Sequence, residues 1–205
     1  MGNYLSAFDI KIHLKQNKGL YFCFVFSMLV GLVVGFVIVA SNDSYLALLT
    51  SDNKVLYSII NGTAKSAELF WRKFLNFIIP LALIFLLSLN HYVGYLSMVL
   101  VGYQSSLFVM SSCSIISVYG VSGVLNFLFL SLPINVLYLL TLIFYSVVCL
   151  KRSKQAATRK SICFGMSDHL FLLQVVICFL IVSGLVFVGT IIFPLFIKNA
   201  IFIIF

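Results

Sequence analysis

Residues 74–150 contain no Asp, Glu, Lys or Arg, and neither do residues 20–40 and 170–193. Charge is confined to the ends and loops of the chain. A domain of this size buries roughly 70% of its unfolded surface, so runs of this length must find cover outside the protein, in lipid. Composition agrees: 62% of the residues are hydrophobic and 9% charged, against about 45–50% and about 25% in soluble domains. These features exclude a soluble globular enzyme, a disordered chain and a nucleic-acid-binding module. They predict an all-α, polytopic helical membrane protein.

A helix that crosses the hydrocarbon needs about 20 apolar residues. On that rule, five spans are expected, with four or six as the alternatives because 74–150 is almost continuously apolar. The first covers 20–40. A central hydrophobic block, 74–150, is divided into three by weak signals at Asn90-His91 and Tyr119-Gly120, with Pro80, Pro133 and several glycines interrupting its helices. The fifth covers 170–193. Residues 1–19 read as an amphipathic interfacial helix. Leu5, Phe8 and Ile12 share one face, and Lys11, Lys15 and Lys18 lie on a neighbouring one, although Ile10 and Leu14 depart from the pattern. The segment 41–73 reads as external, with two short helices resting on the membrane face around Tyr45–Leu49 and Val55–Ile60. It is either a docking surface or a connector. Residues 151–169 form a basic loop, and 194–205 a short tail. The N-terminal apolar stretch is longer than a signal-peptide core, so a retained anchor is expected.

Thirteen Lys and Arg against five Asp and Glu give a formal charge of +8. Their placement sets orientation and brings them to lipid headgroups. With five spans, Lys11, Lys15 and Lys18 share a side with Lys151, Arg152, Lys154, Arg159 and Lys160. Lys54, Lys65, Arg72, Lys73 and Lys198 fall opposite. The N-terminus is therefore expected in the cytoplasm and the C-terminus outside. Cys23, Cys113, Cys149, Cys163 and Cys178 are odd in number, scattered and without a CxxC pair, so they read as small packing residues.

Little points to chemistry. No HExxH, GxSxG or GxGxxG occurs, and Asp168-His169 reads as the capped start of the last helix. No catalytic residue, metal ligand or cofactor is expected. Gln104, Asn126, Asn135 and Gln174 place amides in apolar runs, where they either bond across helices or, with Pro80 and Pro133, line a solute site. Gly31 and Gly35 form a GxxxG that permits close helix approach. Gly102, Gly120, Pro133 and Asn135 are the other expected packing or assembly positions.

The order of these features resembles one family. A basic helix, Ile12-His13-Leu14-Lys15-Gln16-Asn17-Lys18, leads into a span with Gly31 and Gly35. Next come an external segment, Phe70-Trp71-Arg72-Lys73-Phe74, and a block with Gly94, Gly102, Tyr119-Gly120-Val121 and Leu132-Pro133-Ile134-Asn135. The chain resembles the stage II sporulation protein M family of bacterial membrane proteins over nearly its whole length. It lacks the His-Gly and downstream Glu that some relatives carry near the proline. The resemblance implies a non-enzymatic scaffold of the bacterial inner membrane. Its implied partners are peptidoglycan hydrolases, the stage II sporulation proteins D and P, localised during engulfment, and 41–72 would face them. The alternatives are a small permease or transporter membrane subunit and, third, a lipid-modifying intramembrane enzyme.

Overall fold

A computed structural model describes residues 14–41, 66–90, 92–158 and 166–192. Among them there is no strand. Helix α1 spans Lys18–Ser41, α2 Ser66–Ser88, α3 Ser97–Asn126, α4 Leu132–Thr158 and α5 Met166–Phe187. Most of residues 1–19, most of the segment 41–73 and the tail 194–205 lie outside the described residues.

Among the described residues, four stretches are long and apolar enough to cross a membrane: Lys18–Ser41, Val93–Ser114, Leu132–Gln155 and Phe171–Thr190. In α2 only Lys73–Ser88 is apolar, a run of about 24 Å at the rise of an α-helix. Hydrocarbon is about 30 Å thick.

The division expected at Asn90-His91 coincides with a real helix end. After Ser88 the chain turns, with the Tyr92 amide donating to Asn90 Oδ1 at 3.0 Å and the Gly94 amide to the Asn90 carbonyl at 2.8 Å. A short 3-10 helix, Val93–Leu96, then leads into α3. Such an Asx-type turn is the local chemistry that stops a helix without charge.

At Tyr119-Gly120 the helical backbone instead continues to Asn126, and α4 starts only at Leu132. An interior glycine costs a helix about 1 kcal/mol and is readily tolerated. Pro133 is the stronger breaker. It lacks an N–H, and its ring presses on the Phe129 carbonyl four residues back. The preceding residues, Phe127–Ser131, accordingly open into a wide π-turn. Even so, α3 is not straight. Phe108 stacks on Phe127 with ring centroids 6.0 Å apart, whereas a straight helix would separate them by about 28 Å along its axis. The chain therefore folds back between them, within an interval that includes Tyr119-Gly120-Val121.

The side-chain contacts set the helix directions. Ser27 meets Met98, and Gly31 and Gly35 meet Gly102 and Ser106, so α1 and α3 run parallel. Tyr145 packs edge-on against Phe179, and Ile134 covers Gly189, so α4 and α5 run antiparallel. Phe77 lies against Tyr138, and Phe85 against Phe171, which sets α2 parallel to α4 and antiparallel to α5. The starts of α1, α3 and α5 consequently share one end of the bundle with the ends of α2 and α4. The core holds Phe24, Leu81, Ile84, Val101, Leu142, Tyr145, Leu150 and Val182. Outward faces are apolar too: Phe22 is 71% exposed, Phe26 61% and Phe36 63%. A helix apolar all round is suited to a lipid surround, not to water.

Candidate functional site: the α1–α3 seam and the basic end

The most extensive helix contact is between α1 and α3, and small residues make it possible. A Cβ on Gly31 would fall on the Gly102 carbonyl and the Ser105 hydroxyl. One on Gly35 would sit 2.6 Å from the Ser106 carbonyl oxygen, and one on Gly102 3.0 Å from Ser27 Oγ. The two backbones therefore touch without side chains between them, the geometry that small-xxx-small spacing permits. Hydroxyls tie the seam. Ser27 Oγ donates to the Met98 carbonyl at 2.6 Å, and the single proton of Ser105 Oγ is shared between the Met28 carbonyl across the seam at 2.9 Å and the Gly102 carbonyl of its own helix at 2.7 Å. Elsewhere Tyr138 Oη donates to the Phe77 carbonyl at 3.2 Å, joining α4 to α2.

Of the six expected packing positions, the seam brings together Gly31, Gly35 and Gly102. Gly120 lies in the later part of α3, and its surroundings are outside the described residues. Pro133 and Asn135 take no part in the seam and instead shape the π-turn. Asn135 Nδ2 donates to the Ser131 carbonyl at 2.7 Å and to Ser131 Oγ at 3.1 Å. This amide thus stays within its own helix turn, and the expectation that it bonds across helices does not hold. Among the described residues, Ser27, Ser105 and Tyr138 supply interhelical polar bonds, which the sequence reading missed. Ser27 was within reach of it: Ser27, Gly31 and Gly35 recur every four residues, as do Gly102 and Ser106 on α3.

The second feature is the distribution of cations. Lys15 and Lys18 are exposed at the start of α1. Lys151, Arg152 and Lys154 are half-buried near the end of α4. The helix directions put all five at one end of the bundle, while Lys73 lies toward the other. Lys154 Nζ stands 5.2 Å from the centre of the Tyr95 ring, a cation–π distance. Cations near the last turn of α4 also face the negative end of its dipole. Lys11, Arg159 and Lys160 lie outside the described residues.

Cys149 and Cys178 are buried, Cys113 is half-buried and Cys23 is exposed on α1; all four are free. Among the described residues, no three His, Cys, Asp or Glu gather as a metal site would need. The seam offers packing and the basic end offers attraction for anions; neither presents a general acid beside a base. Fold and site together define a helical bundle of membrane-spanning type. No protein family, no curated protein and no solved structure matches the chain.

Proposed function

We propose that this chain is a five-span, non-enzymatic scaffold of the bacterial inner membrane, with its N-terminus in the cytoplasm and its C-terminus outside. By its resemblance to the stage II sporulation protein M family, it holds peptidoglycan-remodelling enzymes at the membrane during engulfment. One observation carries the reading. The apolar spans contain no Asp, Glu, Lys or Arg, whereas coupled carriers and intramembrane enzymes place ionisable groups in protected cavities. The close α1–α3 packing supports it as well, since a scaffold needs a fixed helix arrangement more than a moving one. In this reading Lys73–Ser88 is the second span, short enough for local bilayer thinning or snorkelling of Lys73 to accommodate it. The basic end faces the cytoplasm and its anionic lipid.

Co-purification from mild detergent tests the proposal. Peptidoglycan hydrolases are expected among the recovered partners, and recoding residues 41–72 with the spans intact is expected to abolish their recovery while the protein still inserts. Recovery of an ATP-binding subunit in their place would overturn the scaffold reading in favour of a transporter subunit. That second reading draws on one specific observation, the buried Ser153 hydroxyl near the end of α4, which has no hydrogen-bond partner among the described residues.

A further inference from the structure

Phe70-Trp71-Arg72-Lys73-Phe74 opens the apolar part of α2, and neither the seam nor the basic end accounts for it. Its three rings form one cluster. Phe70 stacks on Phe74 with ring centroids 5.6 Å apart, and Trp71 meets both edge-on at 5.7 Å, with interplanar angles of 75° and 87°. The indole is therefore held in place, yet it is 59% exposed. It heads a stripe. Trp71, Leu75, Ile79, Leu83 and Leu86 fall within an arc of about 120° on the helix, and all five are exposed. Leu81 and Ile84, on the other side, are fully buried in the core. Whatever covers Leu75 to Leu86 thus runs up to Trp71. It stops there, because the position one turn earlier on that face is Glu68.

An apolar stripe closed by a tryptophan where charge begins is the pattern of a membrane–water boundary. The indole ring is apolar, and its N–H donates to oxygen acceptors such as lipid esters. We propose that the Phe70–Trp71–Phe74 cluster is an interfacial anchor. It binds the glycerol–ester layer of the phospholipid leaflet at the end of the bundle opposite the basic one, and so sets the depth of α2. The occupant is lipid because the cluster continues the outward apolar face of the helix without a break. Trp71 also lengthens that face. From Trp71 to Leu89 is about 27 Å, which brings α2 close to the hydrocarbon thickness of about 30 Å. The inference rests on the reading of α2 as the second span.

Trp71 is the chain's single tryptophan, so its fluorescence reports this site alone. The protein is placed in phosphatidylcholine vesicles with bromine either high on the acyl chain or near its terminal methyl, and iodide is added to the water. Trp71 is expected about 15 Å from the bilayer centre. Bromine placed high should quench it more than bromine placed deep, and iodide should quench it little. Leu83 lies about 18 Å further along α2, so in Trp71→Phe/Leu83→Trp the order of the two bromines should reverse. Quenching of Trp71 by iodide and not by bromine would overturn the anchor; a deep Leu83→Trp would then leave the span reading standing. Shielding of Trp71 from both quenchers would put a second copy of the chain on the cluster and would overturn the anchor as well. Two indoles at one shallow depth would lay α2 along the surface, and the span reading would fail together with the anchor. Should the double variant not fold, the native chain alone decides the anchor.

Discussion

Gly31→Leu is expected to separate α1 from α3 and to remove the native fold. The new side chain would begin on the Gly102 carbonyl and the Ser105 hydroxyl, and the first of these is backbone, which cannot swing aside. Overpacking against movable side chains costs about 1–3 kcal/mol; against backbone, the loss should reach about 3 kcal/mol or more, among the largest that single substitutions give. The Ser27–Met98 and Ser105–Met28 bonds would part with the seam. Even Gly31→Ala and Gly35→Ala should destabilise measurably. Gly184→Ala is the control, since a Cβ there meets nothing within 4 Å. It should leave stability unchanged or raise it by up to about 1 kcal/mol through helix propensity. Reversible unfolding in detergent micelles reads all four variants. Equal stability of the Gly31 and Gly184 variants would mean that the seam does not exist as described.

The second large effect concerns orientation. In the proposed five-span arrangement, replacing Lys151, Arg152, Lys154, Arg159 and Lys160 with Gln leaves three cations on the N-terminal side against five on the other. Because Lys and Arg near span ends decide which loops stay inside, the bias reverses. Roughly half or more of the molecules should then insert with mixed or inverted topology. Protease protection of a tag beside residue 155 measures this. A population still wholly native would show that the spans themselves, not these cations, fix the orientation.

How much of this was legible in the sequence depended on the kind of signal. Residues 20–40 and 170–193 stood out because charged loops bound them, and α1 and α5 fall there. Inside 74–150 no charge marks the ends. A helix apolar on every face also has no 3.6-residue stripe from which to read its limits. There, only residues that act on the backbone itself are informative. Asn90 was read correctly because its side chain makes the turn. Tyr119-Gly120 was read as a boundary; the helical backbone runs on to Asn126, yet the Phe108–Phe127 stacking shows that the chain reverses within an interval that includes it. The seam was half visible. Gly31 and Gly35 announce that some backbone comes close, but that it is the Gly102–Ser106 stretch of α3 follows only from how the helices pack. Asn135 misled for a different reason: an amide in an apolar run needs a partner, and its own preceding turn was the nearest.

The central claim is that the two basic segments lie on one side of the membrane, with an even number of crossings between them, and that the 41–73 segment lies on the other. Labelling with a membrane-impermeant thiol reagent, on intact cells and then on opened ones, tests it most directly. Single cysteines at Lys15, Asn53 and Gln155 serve, in a chain whose five native cysteines are replaced. Lys15 and Gln155 are exposed in the structure. The account predicts that Asn53→Cys labels from outside, and that Lys15→Cys and Gln155→Cys label only after the cells are opened. Labelling of Asn53→Cys and Gln155→Cys from the same side would contradict it.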